Sequence, residues 1–172
     1  MPRLLALLAA AFLAFPAHAH ELAVGDLQII HPHIPQPAAT ARAAGGFMAI
    51  VNNGTEPERL LGVETDFAMK SGVHESRVDA NGVGTMTPVD FLEIPPGETV
   101  SLEHGGHHIM LMGLTGTLLA GEMHKATLIF ERAGRVEIEF MIDPPAGMGA
   151  GEVGMDHSRM GHSTRESDDT GN

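Results

Sequence analysis

Between His104 and Met112 the chain sets three imidazoles and two thioethers within nine residues. Imidazole suits copper, zinc and nickel, whereas thioether sulfur selects for Cu(I). The chemistry on offer is therefore capture of a soft metal ion. Side chains alternate along a strand, so His108, Met110 and Met112 are predicted to share one face. Ile109 and Leu111 take the other face and anchor the strand in the core. Same-face neighbours stand about 7 Å apart at Cα, and two ligands on one strand cannot complete a site. The remaining upstream imidazoles and thioethers are few. His74 lies in Gly72-Val73-His74-Glu75 and Met86 in Gly84-Thr85-Met86-Thr87-Pro88, and each is expected beside a turn.

The elements that must position these residues read as short extended runs. Leu22 to Ile30 alternates loosely, and the prolines of His31-Pro32-His33-Ile34-Pro35 are expected to end it. Gly46 to Val51 is an apolar strand closed by Asn52-Asn53-Gly54-Thr55, with Arg59 to Val63 as its expected partner. Val73 to Asp79, Val89 to Ile94, Thr99 to Glu103 and His107 to Leu111 follow, separated by Gly, Pro and Asn turns. Lys125 to Glu131 and Arg135 to Ile142 flank Ala133-Gly134 as a hairpin, whereas Met123 and His124 are expected in a loop. No window holds a 3.6-residue apolar period over three turns. The fold class expected is all-β, an antiparallel sandwich or barrel.

Composition narrows the function. The formal net charge of −12 argues against nucleic acid, which needs a basic face. The absence of Cys removes blue-copper and thiolate-bridged sites, disulfides and a lipid-modified Cys. The absence of Trp and Tyr disfavours stacking on bases or sugars. Residues 1–19 read as a signal peptide: Arg3, an apolar run from Leu4 to Phe15, then Ala17-His18-Ala19 as an A-x-A cleavage signal. A mature chain from His20, exported to the periplasm and without stable membrane insertion, is expected. Residues 20–145 then form the folded domain. Residues 146–172 hold almost no aliphatic residue and are expected to be a disordered tail.

The order His74, eleven residues, Met86, twenty-one residues, His108, one residue, Met110 resembles the periplasmic Cu(I) chaperones called PCuAC. Asn52-Asn53-Gly54, Ile94-Pro95-Pro96-Gly97, His108 to Leu114 and Phe130-Glu131-Arg132-Ala133-Gly134 are similar too, so the resemblance spans roughly residues 21–143. It implies a cupredoxin-like β-sandwich and a Cu(I) site of His74, Met86, His108 and Met110. It also implies delivery of copper towards a cytochrome oxidase copper subunit, or exchange with another periplasmic copper chaperone. No bond chemistry is implied, so the protein is not expected to be an enzyme. The chain departs from many members in carrying Glu75 rather than Met after the first His, and in having His104 and His107 as extra imidazoles.

Two further sets stay open at this level. Met148, Met155, His157, Met160 and His162 in the tail form a degenerate thioether–imidazole pattern that could capture Cu(II) or Cu(I) for the folded site. A buffering or resistance function would use the same ligands. Mature His20 could chelate Cu(II) through its amine and ring, with His31 or His33 across from it, as in an oxidative copper enzyme.

Overall fold

The computed structural model describes residues 21–145, which contain eleven strands and no helix. They are β1 (Glu21–Val24), β2 (Leu27–Pro35), β3 (Ala43–Asn52), β4 (Glu58–Thr65), β5 (Ala68–Val78) and β6 (Gly84–Pro88). β7 (Leu92–Ile94), β8 (Thr99–Leu102), β9 (His107–Leu114), β10 (Met123–Phe130) and β11 (Arg135–Asp143) complete the set. Apolar–polar alternation drives them. In β11, Val136, Ile138, Phe140 and Ile142 are buried while Arg135, Glu137 and Glu139 are exposed. Ile29, Ile50, Leu60, Ile94, Ile109, Leu111 and Leu128 bury their side chains fully against them. Each such side chain contributes about 1.5–3 kcal/mol.

The strands run in the order β6-β5-β9-β3-β2-β11-β10-β4-β7, with β1 beside β2 and β8 beside β3. β3 is the shared element: residues 43–46 pair with β9, and residues 48–51 with β8. The path folds back on itself, because Ser71 Oγ on β5 donates to the Val63 carbonyl on β4 (2.6 Å). The layered all-β architecture expected from the sequence is the one observed. One pairing is not antiparallel: β11 runs parallel to β2.

Several local expectations are corrected. β2 does not stop at the prolines. A register shift between Ile30 and His33, with His31 at φ 50°, absorbs Pro32 as a bulge, and the strand continues to Pro35. β4 is not the partner of β3; it pairs with β10 and β7, so Asn53–Pro57 crosses rather than making a hairpin. Asn52 explains the crossing. Its buried side chain donates to the carbonyls of Glu56 (2.8 Å) and Ile94 (3.0 Å), and its Oδ1 accepts from Gly54 N–H (3.0 Å). Met123 and His124 open β10 instead of lying in a loop. The predicted hairpin at Ala133-Gly134 is present, with Gly134 at φ 72°.

Candidate metal centre

Strand register sets the four predicted ligands on one sheet face. His74 on β5 lies directly opposite His108 on β9, and Gly72 lies opposite Met110. On the other flank of β9, Gly45 of β3 also faces Met110. Met86 on β6 is opposite Ser76, two residues beyond His74. Cross-strand partners share a face, and so do residues two apart. His74, Met86, His108 and Met110 therefore project from one face of β6-β5-β9. Met110 has a glycine on each side, which leaves its thioether room to lie across the neighbouring strands. His74 is within β5 and Met86 within β6, so the strands, rather than the adjacent turns, aim these two side chains.

His108 is the most buried of the four, at 5 % exposure. Its Nδ1 faces the Gly106 carbonyl at 3.2 Å. A carbonyl can only accept, so the proton belongs on Nδ1 and Nε2 presents a lone pair. That Nε2 is buried with no hydrogen-bond partner among the described residues. Leaving such an atom unsatisfied costs about 1–3 kcal/mol, and a metal ion or a hydrogen-bond donor would satisfy it. His74 repeats the arrangement, with Nδ1 3.4 Å from the Gly72 carbonyl. This is how ligating imidazoles are commonly oriented. The two ring centroids are 6.2 Å apart. An ion bound through one nitrogen of each ring lies about 3.2 Å from each centroid, so one ion can span the pair. Met86, His108 and Met110 line an open hollow with Ser76, Phe47 and His104. Met86 is half exposed at its mouth. Two neutral imidazoles and two thioethers suit a soft monovalent ion.

The remaining sequence candidates separate cleanly. His104 lines the hollow and stacks on Phe47, with centroids 4.0 Å apart. His107 is opposite Glu75, on the face away from the four. The Arg77 guanidinium, bonded to Glu75 at 2.9 Å, holds that carboxyl below its usual range, and His107 adds to the effect. Met112 shares the face of Met110 but lies opposite Lys70 and Ala43, further along the strand. Met148, Met155, His157, Met160 and His162, the expected signal peptide 1–19 and His20 lie outside the described residues. Phe47 is the residue that sequence reasoning missed. Its ring lies over Gly45, where a Cβ would come within 2.9 Å of it, so the Gly45-Gly46 pair was the available signal.

These features define the class: a PCuAC-type β-sandwich. The apo PCuAC domain of PmoF1 superposes with a TM-score of 0.63 at 29% identity, covering 73% of this chain and all of that domain. The copper-bound PCuAC domain of PmoF2 gives 0.64 at 29% identity, covering 73% of this chain and 99% of that one. Cu(I)-bound DR1885 from Deinococcus radiodurans gives 0.54 at 25% identity, covering 74% and 83%. The chain belongs to the LpqE-like lipoprotein family, whose profile matches residues 27–142. A relative in Leifsonia xyli subsp. xyli, named "Putative lipoprotein Lxx21020", is 36% identical over 94 residues. That match covers 54% of this chain and 56% of the relative. Residues 1–172 contain no Cys, so they offer no thiol for lipid attachment.

Proposed function

We propose that this protein is a periplasmic copper chaperone that holds Cu(I) through His74, Met86, His108 and Met110 and passes it towards a cytochrome oxidase copper site. The observation that carries the reading is the projection of these four side chains from one sheet face, with a buried His108 Nε2 that meets no hydrogen-bond partner among the described residues. Copper-bound PmoF2 and DR1885 are relatives of the same fold and support the choice of metal. Copper is cargo here. The step is ligand exchange, and the site is graded for it. Met86 lies on β6, at the end of the sheet, and is half exposed. An acceptor's imidazole or thiolate would displace its thioether first, then that of Met110. His108, the deepest ligand, would leave last. Thioethers also avoid the disulfide formation that thiols undergo in an oxidising compartment. The unit that does this is residues 20–145, entering the periplasm after removal of 1–19. Residues 146–172 would serve as an auxiliary copper-collecting tail.

The test is competition for Cu(I) against a chromophoric chelator under reducing conditions. His108→Ala and Met110→Leu are expected to weaken Cu(I) binding by about tenfold or more, since even indirect supports of a metal site are worth about that. Wild-type affinity in both variants overturns the assignment. Transfer from the loaded protein to an isolated oxidase copper domain is expected. Tight binding with no transfer, and more than one Cu(I) per chain, favours buffering instead.

A further inference from the structure

A second cluster of metal-ligating side chains lies outside the four-residue centre. His31, His33 and Asp143 each offer one ligand atom, and the three atoms lie within 4.8 Å of one another. Ligand atoms about 2.0–2.2 Å from one ion stand roughly 2.8–4.4 Å apart, from cis to trans positions, so modest side-chain rotation closes the set. Two backbone features build it. The bulge in β2 puts His31 at φ 50°, a conformation rare for a residue other than glycine, and stacks its ring on His33 with centroids 4.5 Å apart. The parallel pairing of β11 with β2 sets Met141 opposite His33 and Asp143 opposite Pro35, which delivers the carboxylate to the rings. His31 Nε2 is 3.4 Å from Asp143 Oδ2. His33 Nδ1 faces the carbonyl of His31, two residues back, at 3.0 Å. That is the orientation found at His74 and His108, and it likewise leaves Nε2 free for a ligand.

We propose that His31, His33 and Asp143 form a separate Cu(II) site. Two imidazoles and a carboxylate suit a borderline divalent ion, and Cu(II) heads the first-row divalent series for such donors. The donor set is the chemical complement of the thioether centre, which suits Cu(I). The cluster is accessible, with side-chain exposures of 50% for His31 and 33% for Asp143. Phe47 stands between the two centres. Its ring is 5.7 Å from that of His33 and 6.4 Å from that of His108. The assignment does not depend on the Cu(I) reading, because no residue is common to the two sets.

The experiment titrates Cu(II) into the full-length protein, followed by electron paramagnetic resonance, for wild type, His33→Gln and Asp143→Asn. Each variant is expected to lose one Cu(II) equivalent and its spectral component, while Cu(I) stoichiometry under reducing conditions is unchanged. Asp143→Asn keeps the side-chain shape and can still accept from His31, so its effect separates metal loss from misfolding. In wild type, Cu(II) is expected to broaden the amide resonances of Ile34 and Ile142. Unchanged Cu(II) stoichiometry and spectra in both variants overturn the proposal and leave His31–Asp143 as an ion pair only. Broadening that spares Ile34 and Ile142 overturns it as well.

Discussion

At the scale of single residues, the conflict between stability and binding is sharpest at His108. Its ring is buried, one nitrogen is held by the Gly106 carbonyl, and the other meets no partner among the described residues. An apolar side chain there would remove the unsatisfied nitrogen. His108→Leu is therefore expected to leave metal-free stability unchanged or raise it by about 1 kcal/mol, while it abolishes Cu(I) binding at the proposed site. Urea unfolding of the metal-free proteins, beside the chelator competition, checks both halves. A large loss of stability would mean that the imidazole serves the core rather than a ligand. His104 and His107 show how little residue type says by itself. They are three residues apart, yet one stacks on Phe47 at the hollow and the other faces Glu75 on the opposite side.

At the scale of elements, the β5–β6 hairpin carries His74 and Met86, so its turn sets their spacing. Asp79 fixes that turn: its Oδ1 accepts from the N–H groups of Asn81 (2.8 Å) and Val83 (2.9 Å). The Val83 and Asn81 backbone donors hold the Asp79 carboxyl below its ordinary value. With the folded pKa lower than the unfolded one, its stabilisation is present above the unfolded value of about 3.9 and fades as pH falls through the folded pKa. Asp79→Ala is expected to speed amide exchange in β6 at neutral pH. The difference from wild type should disappear once the pH is low enough to protonate Asp79. Equal exchange at neutral pH would show that the hairpin holds its shape without this cap. β9 shows the same dependence of function on an element: Ile109 and Leu111, both fully buried, fix the strand that presents His108 and Met110.

At the scale of the whole molecule, several residues that carry the family resemblance serve the frame. Glu58 is buried, and its carboxylate accepts from the N–H groups of Arg59, Arg132 and Ala133, each at 2.9 Å. It thereby clamps the start of β4 to the β10–β11 turn. Asn52 ties the Asn-Gly turn to Ile94, and Gly97 N–H donates to the Asn52 carbonyl at 2.7 Å. Asn52 is seven residues along β3 from Gly45, roughly 23 Å at strand rise. Glu58→Ala leaves buried donors unpaired and is expected to cost about 1–3 kcal/mol. It should lower the urea midpoint and leave Cu(I) affinity as in wild type. A parallel fall in affinity would show that the clamp and the metal centre are mechanically coupled.

The sequence by itself determined the residue types and their local phase. Period-two alternation separated His108, Met110 and Met112 from Ile109 and Leu111, and the frequent Gly, Pro and Asn turns fixed an all-β class. Those are short-range properties, set by backbone geometry and the sign of each side chain's transfer free energy. Tertiary structure decided the pairings, which depend on contacts far apart in the chain. Only the β5–β9 register put His74 opposite His108, and only the pairing with β3 put Phe47 beside them. The prolines after His31 looked like a terminator because their missing N–H groups weaken a ladder. The bulge kept the strand going and stacked two imidazoles. The parallel β11 then added Asp143, a partner more than a hundred residues away that no local pattern announced.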